Sequence, residues 1–178
     1  MAEEKKEKWL NFVALTTVAL AVCATLSTFK GGQFSTRSVM SQSQASNQWS
    51  YYQAKSIKGY IYEGQKEALE ADLKKQGGSL PAEIKQSFQD KINAYNERLK
   101  RYEQEKAEIS KEAKRLEGVR DQAQQHSQAF GMALIFLQIG ILLSSIAALL
   151  KQKPVWLLGL GVGACGLVYF ANGFWQFF

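Results

Sequence analysis

The sequence predicts an all-α integral membrane protein: three transmembrane helices with a long antiparallel, coiled-coil-like helical hairpin inserted between the first and second. Two observations carry this. Residues Trp9–Phe29, Ala129–Leu150 and Val155–Phe177 contain no Asp, Glu, Lys, Arg or His, and each is long enough to cross a bilayer as a helix, which takes roughly 20 apolar residues. The intervening stretch Lys30–Gln128 holds 17 Lys/Arg against 13 Asp/Glu, so it cannot build a broad core and is expected to bury only a narrow helical seam. The slightly negative mean hydropathy is the average of these two opposite kinds of segment. The predicted divisions are a charged lead at 1–8, a first span at 9–29, a hairpin stalk at 30–128 with its turn at 76–81, a second span at 129–150 and a third at 155–177.

Each element has its own signal. Lys5, Lys6 and Lys8 precede the first span, and Leu20-Ala21-Val22-Cys23 approaches a lipoprotein cleavage box. Val22 is too large for such a box, acids interrupt the basic flank and the apolar run continues to Phe29, so an uncleaved signal anchor is expected. Lys30-Gly31-Gly32 reads as the end of the first helix, because lysine suits a helix terminus and glycine a left-handed cap. From Ser35 to Lys75 two apolar sets lie at helical spacing, Ala45/Trp49/Tyr52 and Ile57/Ile61/Gly64/Ala68/Ala71, offset by one residue of phase. Gln76-Gly77-Gly78-Ser79-Leu80-Pro81 is a turn: the glycines permit positive φ, Ser79 is placed to cap the next helix and Pro81 to sit in its first turn.

From Ala82 onward the signal is strongest. Phe88, Ile92, Tyr95, Leu99, Tyr102, Lys106, Ile109, Ala113, Leu116, Arg120, Ala123 and Ser127 alternate four and three apart, a heptad seam with charged interruptions. At 1.5 Å per residue the helix runs about 70 Å before the second span, and no turn signal separates it from that span. Lys151-Gln152-Lys153-Pro154 allows only a tight hairpin, so the third span packs antiparallel to the second. The first and third loops carry five Lys in twelve residues. By the positive-inside rule the amino terminus is expected in the cytoplasm and the stalk outside it.

No catalytic, cofactor-binding or metal-ligating residues are expected. The two cysteines, Cys23 and Cys165, lie inside apolar runs, and the single histidine, His126, has only Gln and Ser as polar neighbours in sequence, so it is expected to be solvated or interfacial. Gly161-Val162-Gly163-Ala164-Cys165-Gly166 matches a dinucleotide fingerprint by letter, but it lies in a span and no acid follows it. Gly159, Gly163 and Gly166 read instead as a small-residue packing face. The net charge of +6 permits nucleic-acid binding, yet acids and bases alternate at helical spacing, which is a solvated face with internal ion pairs. Nucleic acid is therefore excluded, and membrane lipid is the expected surrounding.

Gln138 sits in the middle third of the second span. An amide in hydrocarbon needs a partner, so it is expected to face another helix as interhelical glue, or to line a pore together with Ser144 and Asn172. Tyr95, Leu99, Tyr102, Ile109 and Leu116 form a seam with two readings, one against the other arm of the hairpin and one against neighbouring copies. Trp49, Tyr51 and Tyr52 either lock the two arms or form a partner surface.

The stretch Gln44–Lys58, QASNQWSYYQAKSIK, with Thr25–Gly32, TLSTFKGG, resembles the hallmark sequence of the bacterial domain-of-unknown-function 4337 family. The layout of one span, a long helical insert and two closing spans agrees with it. The resemblance implies a bacterial membrane protein, expected in the inner (cell) membrane with its stalk periplasmic or extracellular, and no activity. The function expected is a non-enzymatic, oligomeric membrane scaffold or docking protein; the alternatives are a homo-oligomeric channel and an accessory subunit of a larger membrane complex with a protein partner of its own.

Overall fold

The structure, a computed structural model, describes residues 2–76 and 78–178, with side chains from Trp9 onward. The charged side chains of the lead and Gly77 of the turn lie outside the described residues. The chain forms three α-helices: α1 (Ala2–Gln76), α2 (Ala82–Leu150) and α3 (Lys153–Trp175). α1 and α2 pack against each other. All three helices are long and apolar enough over part of their length to cross a membrane.

This differs from the predicted architecture. There is no separate hairpin between the first and second apolar runs, because each arm of the hairpin is continuous with the run beside it. The predicted break at Lys30-Gly31-Gly32 is helix interior. The reason is packing. A Cβ on Gly31 would lie 3.2 Å from the Phe130 Cβ, and Ser127 Oγ donates to the Gly31 carbonyl at 3.1 Å. Glycine is there to admit α2, not to end α1.

A single register explains the continuity. On α1 the positions 13, 17, 20, 24, 27, 31, 34, 38, 41, 45, 48, 52, 55, 59, 62, 66, 69 and 73 alternate four and three apart, and every one is buried or half-buried. On α2 the predicted seam from Phe88 to Ser127 is likewise buried or half-buried, and its register continues through Phe130, Leu134, Leu137, Ile141 and Ser144. The set Ile57/Ile61/Gly64/Ala68/Ala71 is off this register and exposed. The true seam there runs through Tyr52, Lys55, Gly59, Tyr62 and Lys66.

The turn is also assigned differently. Ser79 Oγ donates back to the Gln76 carbonyl at 3.0 Å, and Ser79 N bonds the same carbonyl at 2.9 Å, so Ser79 closes α1 instead of opening α2. Pro81 precedes α2 and its carbonyl accepts from Ile84 N and Lys85 N, both at 3.1 Å. Gly78 does not use positive φ. α2 ends with Lys151 at φ 55° and Gln152 N bonded to the Ala147 carbonyl at 3.1 Å, a Schellman-type close that usually uses glycine. Pro154 occupies the first turn of α3.

The chain divides into two compact units, Met1–Met40 with Val119–Phe178, and Ser41–Gly118. The first holds the apolar runs and the second the polar helix pair.

Candidate functional site

In the apolar unit the three helices meet through glycine. Gly159, Gly163 and Gly166 of α3 are buried. A Cβ at Gly166 would lie 2.9 Å from the Leu137 backbone nitrogen, one at Gly159 3.2 Å from the Gly140 carbonyl, and one at Gly163 3.0 Å from Leu20 of α1. Gly140 of α2, which sequence reasoning did not single out, completes the face: a Cβ there would meet Gly163 Cα at 3.1 Å. Gly161, on the other side of α3, meets nothing. Leu20, Ala24, Ala133 and Leu137 fill the centre.

His126 is half-buried. Its Nδ1 lies 2.8 Å from the Gly173 carbonyl of α3, which fixes the proton on Nδ1, and the Phe34 ring of α1 stacks on it at 4.5 Å. Phe130 fills the space left by Gly173, whose Cβ would come within 2.7 Å of the ring. Asn172 clasps the end of α3. Its Oδ1 accepts from Phe177 N at 2.6 Å and Phe178 N at 3.2 Å, and its Nδ2 donates to the Phe178 carbonyl at 3.0 Å. Asn172 and Ser144 are therefore buried inside the chain.

Most hydroxyls of the apolar runs bond their own helix: Thr17 to the Val13 carbonyl, Thr25 to Ala21, Ser27 to Cys23 and Ser145 to Ile141; the buried Ser144 hydroxyl has no partner. Gln138 has no such outlet. It is exposed on α2, away from α1 and α3, so its predicted role as glue within the chain does not hold: the glycines Gly140, Gly159 and Gly163 draw the adjacent face of α2 onto α3 and turn Gln138 outward.

In the polar unit Tyr95, Leu99, Tyr102, Ile109 and Leu116 are buried or half-buried on the seam of α2 that faces α1. Trp49 Nε1 donates to Glu117 Oε1 at 2.8 Å, and the Trp49 and Tyr52 rings meet edge to face at 5.6 Å. Trp49 and Tyr52 are thus engaged within the chain, whereas Tyr51 is exposed. Residues the sequence reading passed over complete the seam. Lys55 Nζ pairs with Glu105 at 2.5 Å, its side chain only 13% exposed, and lies 5.3 Å from the centroids of both Tyr51 and Tyr102. The hydrogen bond to Glu105 holds the Lys55 ammonium above the ordinary lysine range, and the same bond holds the Glu105 carboxyl below the ordinary carboxylate range. Tyr62 packs between Tyr95 and Tyr102 at 5.5 and 5.9 Å, and Arg98 donates to its hydroxyl at 2.6 Å. A tyrosine, a lysine and a glycine at seam positions look polar in sequence, which hid them.

Opposite this filled seam, α1 presents a second one. Ile57 and Ile61 are 59% and 54% exposed, and Gly64, Ala68 and Ala71 continue the stripe on the same exposed face. Among the described residues no three His, Cys, Asp or Glu side chains gather as a metal site. An open trough of about 820 Å³ runs along one face of α2, lined by residues such as Glu83, Asp90 and Lys91.

The chain belongs to the DUF4337 family, a domain of unknown function, whose profile matches residues 9–176. No curated protein and no solved structure matches it.

Proposed function

We propose that this member of the family is a non-enzymatic, homo-oligomeric membrane scaffold whose polar helix pair is a docking surface. The observation that carries it is the open second seam of α1. Two half-exposed isoleucines and a run of Gly and Ala recur at heptad spacing on a helix whose other face is already filled. An exposed stripe at that spacing is the signature of a surface made to receive another helix. The three apolar segments lie in the bilayer of a bacterial cell membrane, with the amino terminus cytoplasmic and the polar unit outside.

Native mass measurement of the detergent-solubilised protein tests this. A mass above that of one chain, falling in the Ile57→Glu/Ile61→Glu variant with helicity unchanged, supports the docking seam; a strictly single chain in both rejects it. Labelling of Gly78→Cys on intact cells tests the orientation, and labelling only after permeabilisation reverses it.

The channel alternative rests on Gln138 alone, since Ser144 and Asn172 are buried inside the chain. It calls for discrete conductance steps in planar bilayers that change with Gln138→Leu. The accessory-subunit alternative calls for a stoichiometric partner from native membranes.

A further inference from the structure

We infer that a second copy of this chain covers the outward face of α2 in the apolar unit, and that Gln138 pairs with its own counterpart across that contact. The inference rests on the membrane placement proposed above and names where the copies meet within it.

Four observations converge. First, the buried face of α2, Phe130, Ala133, Leu137, Gly140, Ser144 and Ala147, is occupied by this chain's own helices. On the outward side of α2, Gly131, Ile135, Gln138, Leu142, Ser145 and Leu149 alternate four and three apart, and all are exposed. Second, Gln138 is the one carboxamide in this face. Most of the serine and threonine hydroxyls described above close onto carbonyls of their own helix; the longer Gln138 amide has no bond to its helix or to α1 or α3. Lipid tails offer it neither donor nor acceptor. Third, the face carries no charge, so nothing repels an identical face. Fourth, its small residues bracket the amide: Gly131 lies seven residues before Gln138 and Ser145 seven after, and a Cβ at Gly131 would meet nothing in this chain. Small residues at such positions let helix backbones approach closely in lipid.

A second copy is the occupant these features select. A carboxamide is both donor and acceptor, so two related by a twofold axis satisfy each other, Nε2–H to Oε1 in both directions. Identical chains inserted in the same bilayer place Gln138 at the same depth without further design. An unrelated helix would need its own polar group at that depth.

Disulfide trapping of the full-length protein in lipid vesicles, with Cys23 and Cys165 replaced by serine, tests the contact. Ile135→Cys and Leu142→Cys should each give covalent dimers on mild oxidation, and Leu158→Cys, exposed on α3, should not. Adding Gln138→Leu should lower the trapped fraction roughly ten- to hundredfold, the range expected for two reciprocal interhelical hydrogen bonds in lipid, and Gln138→Asn should retain most of it. Gly131→Leu should abolish trapping by bulk alone, with helicity unchanged. Equal trapping at Leu158→Cys, or trapping indifferent to Gln138→Leu, overturns the inference. The Ile57→Glu/Ile61→Glu variant separates the two readings: trapping through α2 that survives in it leaves the present contact standing even where the docking seam fails.

Discussion

The two units solve the same problem, holding helix against helix, with opposite materials. In the polar unit the seam is bulky and amphipathic: tyrosines, Trp49, and the Lys55–Glu105 pair lie between the helices, with aliphatic residues such as Ile92 and Ile109 buried among them. In the apolar unit the contact is made by absence of side chain, through Gly31, Gly140, Gly159, Gly163, Gly166 and Gly173. With the apolar unit placed in lipid, as proposed above, the difference follows from what each seam competes with. In water, burying apolar stems is itself favourable, and long side chains do it while keeping their polar ends wet. In lipid an isoleucine gains little by leaving the tails, so helices associate by close packing and hydrogen bonds.

The largest expected effect breaks the comparison directly. Ile109→Ala in the polar unit should cost about 2–5 kcal/mol, the usual toll of a buried aliphatic deletion. Leu137→Ala, equally buried in the apolar unit, should cost distinctly less in lipid vesicles, because only its packing is lost and no transfer from water is at stake. Denaturant unfolding of each unit, followed by local fluorescent probes, compares the two. Equal losses would mean that the apolar unit is not held by the mechanism argued here.

Next comes Gly166→Val, expected to destabilise by about 1–3 kcal/mol through overpacking, because its Cβ would run into the Leu137 backbone. Gly161→Val, on the open side of α3, should change the melting temperature little. A smaller effect, about 1 kcal/mol, is expected for Trp49→Phe, which removes the hydrogen bond to Glu117 while keeping the ring.

The smallest sharpens the polar side. The Glu105 carboxyl is held below its ordinary range by Lys55. Its contribution is therefore present above the unfolded carboxylate value and lost as pH falls through the depressed folded value. Lys55 is raised by the same partner, so its contribution is present below the unfolded lysine value and lost as pH rises through the raised one. Melting against pH should show a plateau across neutrality that falls at both ends, and Glu105→Gln should flatten the acid side.

How much of this was legible depended on what fills the seam. Along α2 it was plain from Phe88 to Ser127, because Ile92, Leu99, Ile109 and Leu116 mark it with large aliphatic side chains. On α1 the exposed stripe of Ile57 and Ile61 looks more like a core than the actual seam, where Lys55, Gly59 and Lys66 stand. Local reading therefore chose the wrong face. Gly31-Gly32 looked like a terminus because a glycine pair advertises conformational freedom; that Phe130 packs on it is visible only when the second helix is in place. The outward aim of Gln138 was hidden for the same reason, since it is decided by glycines on α3.

The unbroken register of α1 gives the chain a unit of length. Inserting or deleting one residue in α1 rotates everything beyond it by about 100°, carrying the seam residues beyond that point off the face that meets α2. Removing seven residues from one helix and the facing seven from the other restores every contact in phase. Evolution and the protein engineer therefore face the same arithmetic: this molecule can change size only in steps of seven, taken in pairs.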